Sequence, residues 1–423
     1  MKIETKCLHS GYQPKNGEPV VLPIYQSTTY RYDNTNEIGK LFDLKADGHM
    51  YSRISNPTVG FVEEKIAELE GGVGALCTTS GQAASLISVL NIAKCGDHVV
   101  ASSCIYGGTI NLFNVTLKRF GIDCTFVDQD ASEEEIQKAF KSNTKLVFGE
   151  TIANPAISVL DIEKFSKIAH KNGVPLIVDN TFATPILCRP IEHGADIVVE
   201  STTKYMDGHA AYIGGVIVDS GKFDYANGKF EEFTQPDESY HGIIYSKQFK
   251  KAAYITKARV QLMRDLGAYP TANAAFMLNL GLETLAVRME KYCRNAEKVA
   301  EYLNGRKEIE FINYPTLKNN KYNSLAKKYL PLGCSGVISF SIKGKRENAI
   351  KFMDNLKLAE NVVHVADIRT CVLHPASSTH RQLTDEQLVA AGITPGLVRL
   401  SIGLENADDI IEDLDNSLNT LNL

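Results

Sequence analysis

The sequence predicts an α/β protein with a mainly parallel sheet, helices on both faces of that sheet, and a smaller α/β domain at the C-terminal end. Short runs rich in Val, Ile and Leu alternate with helical segments between residues 56 and 270, as right-handed βα units do. Helical segments from 271 to 304 then lead into a shorter series of strands and helices. We therefore expect an extended N-terminal arm over 1–55, a large domain over 56–270 and a smaller domain over 271–423.

The composition is that of a globular protein with a large core. The chain has 423 residues, of which 44% are hydrophobic and 22% charged, and its net charge of −5 gives no basic surface for nucleic acid. No apolar run is long enough to span a membrane and none resembles a signal peptide, which predicts a cytoplasmic protein. Nine cysteines without a Cys-x-x-Cys pair indicate reduced thiols. His374 and His380 lack a nearby third ligand, so we expect no metal.

The first 55 residues show little periodicity and are rich in Gly, Pro, Asn and Tyr, which predicts an extended arm that packs on something else. The arm ends at Tyr51 and Arg53. A guanidinium fork suits a phosphate, and the Tyr51 phenol can join it. The alternative is an ordinary polar loop before the helix predicted over 59–70.

The first βα turn has the chemistry of an anion site. A strand over 75–79 is followed by Ser80, Gly81 and Gln82 and then by an apolar helix. A glycine at such a turn lets backbone N–H groups approach an anion at the helix N-terminus. The glycines near this strand do not match the Gly-x-Gly-x-x-Gly fingerprint of dinucleotide folds, so a phosphate group is favoured over a nicotinamide dinucleotide.

The next units place two further polar residues at strand exits. Strands are predicted over 97–101, 124–127 and 145–148. Tyr106 follows the first of them, where a phenol can stack on a flat ring or simply pack. Asn154 precedes Pro155 after the last of them, which alone indicates only a turn.

Two neighbouring strands then end in a carboxylate and an amine. One strand ends at Asp179, and the next, over 196–199, is followed by Ser201, Thr203 and Lys204. Open α/β sheets bind ligands outside the carboxyl ends of their strands. A partly desolvated lysine forms a Schiff base with an aldehyde, and an aspartate beneath a pyridinium nitrogen is its usual companion in pyridoxal phosphate enzymes.

These motifs carry a specific resemblance. Asp179-Asn-Thr-Phe together with Ser201-Thr-Thr-Lys-Tyr resembles the cystathionine γ-synthase family of fold-type I pyridoxal phosphate enzymes, and the resemblance extends over the whole chain. It implies that Lys204 forms the Schiff base and moves the Cα and Cβ protons, while Asp179 keeps the ring nitrogen protonated. The cofactor contacts that it implies are Tyr51, Arg53, Ser80, Gly81, Gln82, Tyr106, Asn154, Asp179, Thr181, Ser201, Thr203 and Lys204.

The resemblance also implies roles for residues that the local pattern leaves open. Tyr106 would stack on the pyridine ring and help the γ-substituent leave, and Asn154 would bond the cofactor's phenolic oxygen and contact the substrate. Tyr51 and Arg53 would reach the cofactor phosphate of the neighbouring subunit. The family usually assembles such dimers, with their shared active sites, into homotetramers.

Two C-terminal motifs concern the substrate. Arg399 lies in an apolar strand where an unpaired guanidinium is costly, so it needs an anion, either an amino-acid α-carboxylate or a structural partner. The segment 364–383 resembles the family's substrate loop. It departs from the family in having Thr370 where a serine is usual and Ala366 where a glycine is usual, and Thr370 is the implied side-chain contact to the substrate carboxylate.

The reaction is indicated by two features. The segment 221–242 is long for a loop, its aromatic residues favour order, and it resembles the insert of O-acetylhomoserine sulfhydrylases. Methionine γ-lyases have a cysteine just after the Tyr-Gly pair, where this chain has Gly108. The resemblance therefore implies γ-replacement on O-acetylhomoserine with sulfide or methanethiol. A methionine γ-lyase, a cystathionine γ-synthase or lyase, and a non-catalytic binding protein on the same fold are the alternatives.

Overall fold

The computed structural model describes residues 1–379, 381, 394–421 and 423. His380, the whole segment 382–393 and Asn422 lie outside the described residues. Within the described part, no helix is both long and apolar enough to cross a membrane. All nine cysteines are free thiols.

The larger sheet has seven strands in the order β1-β7-β6-β5-β4-β2-β3. All are parallel except β7, which runs antiparallel to β1 and β6. The prediction of a mainly parallel sheet is therefore confirmed. The strands are β1 Gly74–Thr78, β2 His98–Ser102, β3 Asp123–Val127, β4 Thr144–Glu150, β5 Leu176–Asp179, β6 Ile197–Glu200 and β7 Gly215–Asp219.

Alternate residues of the sheet face two separate apolar cores. Val178 and Val198 belong to one core, while their neighbours Ile177 and Ile197 belong to the other. Both faces are covered because βα crossovers place helices on each side. The helices up to residue 266 are α1 Ile3–His9, α2 Thr35–Phe42, α3 Pro57–Glu70, α4 Gly81–Leu90, α5 Gly107–Asn111, α6 Leu117–Arg119, α7 Glu133–Gln137, α8 Ile162–Lys171, α9 Thr184–Leu187, α10 Glu231–Thr234, α11 Tyr245–Gln248, α12 Ala253–Lys257 and α13 Arg264–Leu266.

The C-terminal part contains a second sheet of five strands in the order β10-β11-β12-β9-β8. Its strands are β8 Ile309–Asn313, β9 Val337–Ile342, β10 Glu360–Asn361, β11 Cys371–Leu373 and β12 Leu397–Ser401, and its pairing is antiparallel except between β10 and β11. The helices are α14 Ala272–Glu283, α15 Leu285–Asn304, α16 Asn323–Tyr329, α17 Lys345–Asn355 and α18 Ala407–Leu418. The predicted smaller α/β unit is present.

The N-terminal segment is less extended than the sequence suggested. It contains α1 and α2, and α1 packs on α3, α14 and α15 with Cys7 buried. The helix α2 was not predicted because its apolar residues are few, yet Asn34 caps it by accepting a hydrogen bond from the Glu37 N–H at 3.0 Å. Between the helices, apolar side chains remain exposed; Val20 is 87% exposed and Val21 57%.

The insert 221–242 is ordered by its aromatic residues. The rings of Tyr225 and Phe233 stack with centroids 4.4 Å apart, and Tyr225 also stacks on Tyr254 at 5.6 Å. The Tyr240 hydroxyl donates to the Val260 carbonyl at 2.7 Å. The insert therefore packs on the helical segment after it.

Candidate active site

The carboxyl ends of β4, β5 and β6 bring the predicted residues to one edge of the sheet. Glu150 is paired in register with Asp179, and Asp179 with Val199. The chain then leaves β6 in a tight turn in which the Lys204 N–H donates to the Ser201 carbonyl at 3.2 Å. The turn places the Lys204 side chain above the strand ends, where α/β sheets bind ligands.

The Lys204 amine is partly desolvated. Burial, and next the charge of Arg399, lower its pKa from 10.5 to about 8. Its Nζ lies 3.5 Å from Nδ1 of His364, whose own pKa is lowered to about 4 by burial and by Lys204. A substantial neutral fraction near neutral pH makes Lys204 suited to attack an aldehyde.

This pKa predicts how Lys204 reacts in cofactor-free protein. Labelling of Lys204 by an amine-selective acylating reagent should rise through a midpoint near pH 8, since only the neutral amine reacts. Peptide mass spectrometry gives the extent at each lysine. The matched control is Lys257, whose pKa is also lowered to about 8 by burial, but whose buried Nζ donates to the Asn91 carbonyl and lies over the Phe233 ring. Lys257 should stay unlabelled, and a Lys204 midpoint near the ordinary lysine pKa of 10.5 would contradict the assignment.

Asp179 is held in place by Thr181. The Thr181 hydroxyl and N–H both donate to Oδ1 of Asp179, at 2.5 and 3.0 Å. The same Thr181 oxygen accepts from the Ser201 N–H at 2.9 Å, which ties β5 to the Lys204 turn. Burial raises the pKa of Asp179, and the Thr181 bonds oppose that rise. The second oxygen, Oδ2, has no hydrogen bond within the described part of the chain and is available to a ring N–H.

The predicted phosphate cradle lies at the start of α4. The Ser80 hydroxyl accepts from the Ala83 N–H at 3.1 Å, and a Cβ on Gly81 would lie 2.7 Å from the Ser201 Cβ, so only glycine permits this approach. The Ser201 hydroxyl makes no hydrogen bond to any described residue, whereas Thr203 donates to the Gly214 carbonyl at 3.1 Å. Free backbone N–H groups and a free hydroxyl therefore converge where the sequence predicted an anion.

Tyr106 lines the open side of this edge. Its backbone N–H donates to Oε2 of Glu150 at 2.6 Å, and its side chain is 47% exposed. A Cβ on Gly108 would lie 2.4 Å from the Tyr106 ring and 3.0 Å from Nε2 of Gln82. A side chain at position 108 would therefore clash with the Tyr106 ring in its present position.

Arg399 is buried and has no acidic partner in the part of the chain that the structure describes. It is 6% exposed, and burial lowers its pKa to about 10. Its terminal nitrogens donate to Oδ1 of Asn154 at 3.2 Å and to the carbonyls of Val363 and His364 at 3.1 and 3.2 Å, while Nε has no partner among the described residues. The sequence left open whether Arg399 forms a structural salt bridge. Within the described residues, no carboxylate forms one with it. A buried guanidinium in this state requires an anionic ligand.

Thr370 has different partners from those expected. Its hydroxyl donates to Oε2 of Glu405 at 2.9 Å and accepts from the Gly403 N–H at 3.0 Å. Because a hydroxyl has a single proton to donate, the donor that a substrate carboxylate needs is already used. The substrate contact of Thr370 stays a prediction, and it requires a change of partner.

His364 was missed as an individual residue by the sequence analysis. It lies 160 residues from Lys204 in the chain, and its backbone carbonyl accepts from Arg399 at 3.2 Å. The segment 364–383, which begins with His364, did resemble the family's substrate loop. That resemblance does not show which side chain His364 contacts in the folded protein.

Tyr51 and Arg53 lie apart from this group. The Arg53 guanidinium is 5.3 Å from the centroid of the Tyr51 ring and donates to the Arg264 carbonyl. None of the contacts of Arg53 in the described structure involves Ser80, Ser201 or Lys204. Within one subunit, therefore, the two predicted phosphate ligands do not join the cradle.

Comparison with known proteins identifies the family. The sequence profile of the Cys/Met metabolism PLP-dependent enzymes matches residues 4–419. The chain belongs to this family. It is therefore a pyridoxal phosphate enzyme, and the expected cofactor is confirmed.

Relatives of this PLP-dependent enzyme match it from end to end. It is 45% identical to the O-acetyl-L-homoserine sulfhydrylase of Leptospira meyeri, covering 99% of this chain and 97% of that one. It is 44% identical to the homocysteine/cysteine synthase of Saccharomyces cerevisiae, with coverages of 99% and 98%. A crystal structure from Campylobacter jejuni, provisionally assigned as an O-acetylhomoserine (thiol)-lyase, matches with a TM-score of 0.95 and 40% identity over 99% of this chain and 100% of that one. That protein carries a pyridoxyl-lysine phosphate at its position 205.

The residues at the sheet edge fit pyridoxal phosphate. This cofactor requires three groups, and the site has all of them. They are an amine with a lowered pKa, a buried carboxylate with one free oxygen, and an anion cradle that a Cβ at Gly81 would fill. Arg399 lies close enough to Lys204 to affect its pKa, and the Arg399 Nε has no partner among the described residues. The site therefore has groups suited to the cofactor and a guanidinium nitrogen that is available to an anion.

Proposed function

We propose that this PLP-dependent enzyme is an O-acetyl-L-homoserine sulfhydrylase. It replaces the acetate at Cγ of O-acetylhomoserine with sulfide, or with methanethiol, and gives homocysteine, or methionine. The Cγ–O bond breaks, a Cγ–S bond forms, and the proton of the thiol is released. The observation that carries this proposal is the end-to-end similarity to proteins named O-acetyl-L-homoserine sulfhydrylase and homocysteine/cysteine synthase.

The residue roles that we propose follow from the site geometry. The bound cofactor supplies an electron sink for charge that develops at the substrate's Cα and Cβ. Lys204 binds the cofactor and then, as a free amine with a lowered pKa, moves protons between Cα and Cβ. Asp179 holds the proton on the pyridine nitrogen through its free oxygen, and Ser80, Gly81, Gln82, Ser201 and Thr203 surround the phosphate.

Substrate groups have their own proposed ligands. Arg399 binds the α-carboxylate, because its guanidinium is buried and lacks an acidic partner in the described structure. Asn154, already bonded to Arg399, orients both cofactor and substrate. Tyr106 is exposed toward the ligand and lies close enough to Arg399 to influence its pKa, so its phenol can assist the departing acetate.

We further propose that two subunits share each active site and that the enzyme works in the cytoplasm as a tetramer built from such dimers. The arm leaves Val20, Val21, Ile24 and Phe42 between 41% and 87% exposed, which is typical of a surface that a second copy covers. Arg53 donates to the Arg264 carbonyl and makes no hydrogen bond to a described residue of its own subunit's cradle. The arm as a separate unit over 1–55, with domains over 56–270 and 271–423, is part of this proposal.

Product analysis tests the reaction. Purified holoenzyme with O-acetylhomoserine and sulfide should form homocysteine and acetate much faster than it breaks methionine down to methanethiol and α-ketobutyrate. Gly108, which packs against Tyr106 in place of a larger side chain, supports this preference. Rapid α-ketobutyrate formation from methionine, with no thiol product from added sulfide, would instead favour a lyase. Cofactor binding without turnover of either substrate would favour a non-catalytic protein.

A further inference from the structure

A pair of buried carboxyls lies behind the pyridine-binding edge and has no role in the mechanism above. Glu200 is the last residue of β6 and Glu70 the last of α3; they are 1% and 0% exposed. Burial raises the pKa of both carboxyls, and each lies close enough to the other to affect its pKa. Two carboxylates cannot bond directly unless one of them carries a proton.

The hydrogen-bond partners indicate where that proton lies. Burial raises the pKa of Glu70, but the hydrogen bond that its Oε1 accepts from Nδ2 of Asn180 at 2.9 Å and the charge of Arg189 oppose that rise. By contrast, neither carboxyl oxygen of Glu200, nor Oε2 of Glu70, has a donor among the described residues. A proton on one oxygen of Glu200, donated to Oε2 of Glu70, gives partners to two of these three atoms and leaves only the second Glu200 oxygen without a donor.

The pair is directly connected to Asp179. Asn180 follows Asp179 in the chain, its side chain binds Glu70, and its backbone N–H donates to the Val199 carbonyl beside Glu200 at 3.0 Å. The charge of Asp179 raises the pKa of Glu200, as burial and Glu70 also do. If Glu200 were ionised, its charge would oppose the ionised form of Asp179 that the pyridinium nitrogen needs.

Glu150 lies beside Asp179 on β4, and burial, and next the charge of Asp179, raise its pKa and so favour its neutral form. The other ionisable groups lie around Glu70 and β6. Glu192 and the Cys188 thiol face Glu70, but Glu192 is half-exposed and pairs with Arg189. Helix α4, which packs on β6, has no ionisable side chain. On the neighbouring strand β7, Asp219 lies opposite Ile197 in the strand register. Its carboxyl is therefore at the other end of β6 from Glu200.

We propose that Glu70 and Glu200 share one proton, that the proton lies on Glu200, and that the pair thereby keeps a second negative charge away from Asp179. The two are positioning residues, since they act on the cofactor through Asp179. The inference rests on the cofactor and not on the identity of the thiol substrate, so it can fail or succeed independently of the proposed reaction.

Infrared difference spectra of the holoenzyme locate the proton. Wild type minus Glu200→Gln should show the loss of a protonated-carboxyl C=O band that shifts in D₂O. Wild type minus Glu70→Gln should show the loss of a carboxylate band, as should the exposed control Glu192→Gln. Loss of a carboxylate band in Glu200→Gln would overturn the proposal, and so would loss of a protonated band in Glu70→Gln.

The pH dependence of unfolding separates this role from simple packing. The folded protein keeps the Glu200 proton above the ordinary glutamate pKa of 4.5, whereas the unfolded chain releases it. The folded state then binds more protons, so wild-type stability falls as pH rises. The ratio of folded to unfolded protein should therefore fall with rising pH in wild type, compared with Glu200→Gln. The fall should be about tenfold per pH unit between about pH 5 and the pKa that Glu200 has in the folded protein. Parallel pH curves for the two holoenzymes would overturn the proposal.

The cofactor's visible absorbance gives a second readout that needs no turnover. If Glu200 is protonated, Glu200→Gln replaces one neutral group by another. The pH midpoint of the cofactor absorbance should then be the same in Glu200→Gln as in wild type. Removal of a charged Glu200 would lower the midpoint by about one pH unit, the effect of a nearby unit charge at low dielectric. A lowered midpoint would therefore also overturn the proposal.

Discussion

Lys204→Ala should abolish the sulfhydrylase reaction and leave a protein without the yellow colour of lysine-bound pyridoxal phosphate. The substitution removes both the amine that binds the cofactor and the group that moves protons. Loss of proton transfer alone costs about 10² to 10⁴-fold, so the rate should fall at least roughly 10³-fold. The measurements are the absorbance spectrum of purified protein, turnover of O-acetylhomoserine with sulfide, and mass spectrometry after borohydride reduction, which should fix the cofactor to Lys204 in wild type.

The control for this experiment is an exposed lysine that lies outside the site. Lys171, at the end of α8, is exposed, and its replacement by alanine should keep both colour and activity. Wild-type turnover by Lys204→Ala, or borohydride fixation at a different lysine, would refute the proposed role of Lys204.

Two inactive variants should restore each other's activity when mixed. Arg53→Ala removes a charge-assisted bond to the cofactor phosphate, worth about 1.5–3 kcal/mol, and so weakens cofactor binding roughly 10 to 100-fold. At limiting cofactor it should be nearly inactive, as is Lys204→Ala. In a hybrid dimer with shared sites, one site combines an intact Lys204 with an intact Arg53 and the other collects both defects. Dissociation, mixing in equal amounts and refolding should therefore recover about a quarter of wild-type activity.

The result depends on which subunit Arg53 serves. If Arg53 bound the cofactor of its own subunit, every site in a hybrid would carry one defect and no activity would return. Lack of recovery, with hybrids shown by native mass spectrometry of tagged chains, would thus refute the shared site. The matched control is Arg31→Ala, which removes an exposed arginine of the same arm that pairs only loosely with Asp33, at 3.5 Å. It should remain active without mixing.

The local pattern of apolar residues in the sequence was sufficient to predict most of the fold. The β-branched runs that end at Asp179 and before Ser201 are strands because their side chains suit a sheet buried on both faces, and their observed bounds differ from the predicted ones by a residue or so. The N-terminal segment was predicted less well. The helix α1 is short and is stabilised by packing on α3, which lies about fifty residues later in the chain.

The sequence by itself therefore determined the α/β class, the order of its strands and helices, and the placement of Lys204 and Asp179 at strand ends, since each depends on residues close together in the chain. Only the tertiary structure decided that Arg399 lacks a carboxylate partner in the described residues, that Thr370 donates to Glu405, and that Glu200 meets Glu70. These contacts join residues that are 35 or more positions apart. Their hydrogen bonds and charges depend on how whole elements pack, and packing geometry is not encoded in any short stretch of sequence.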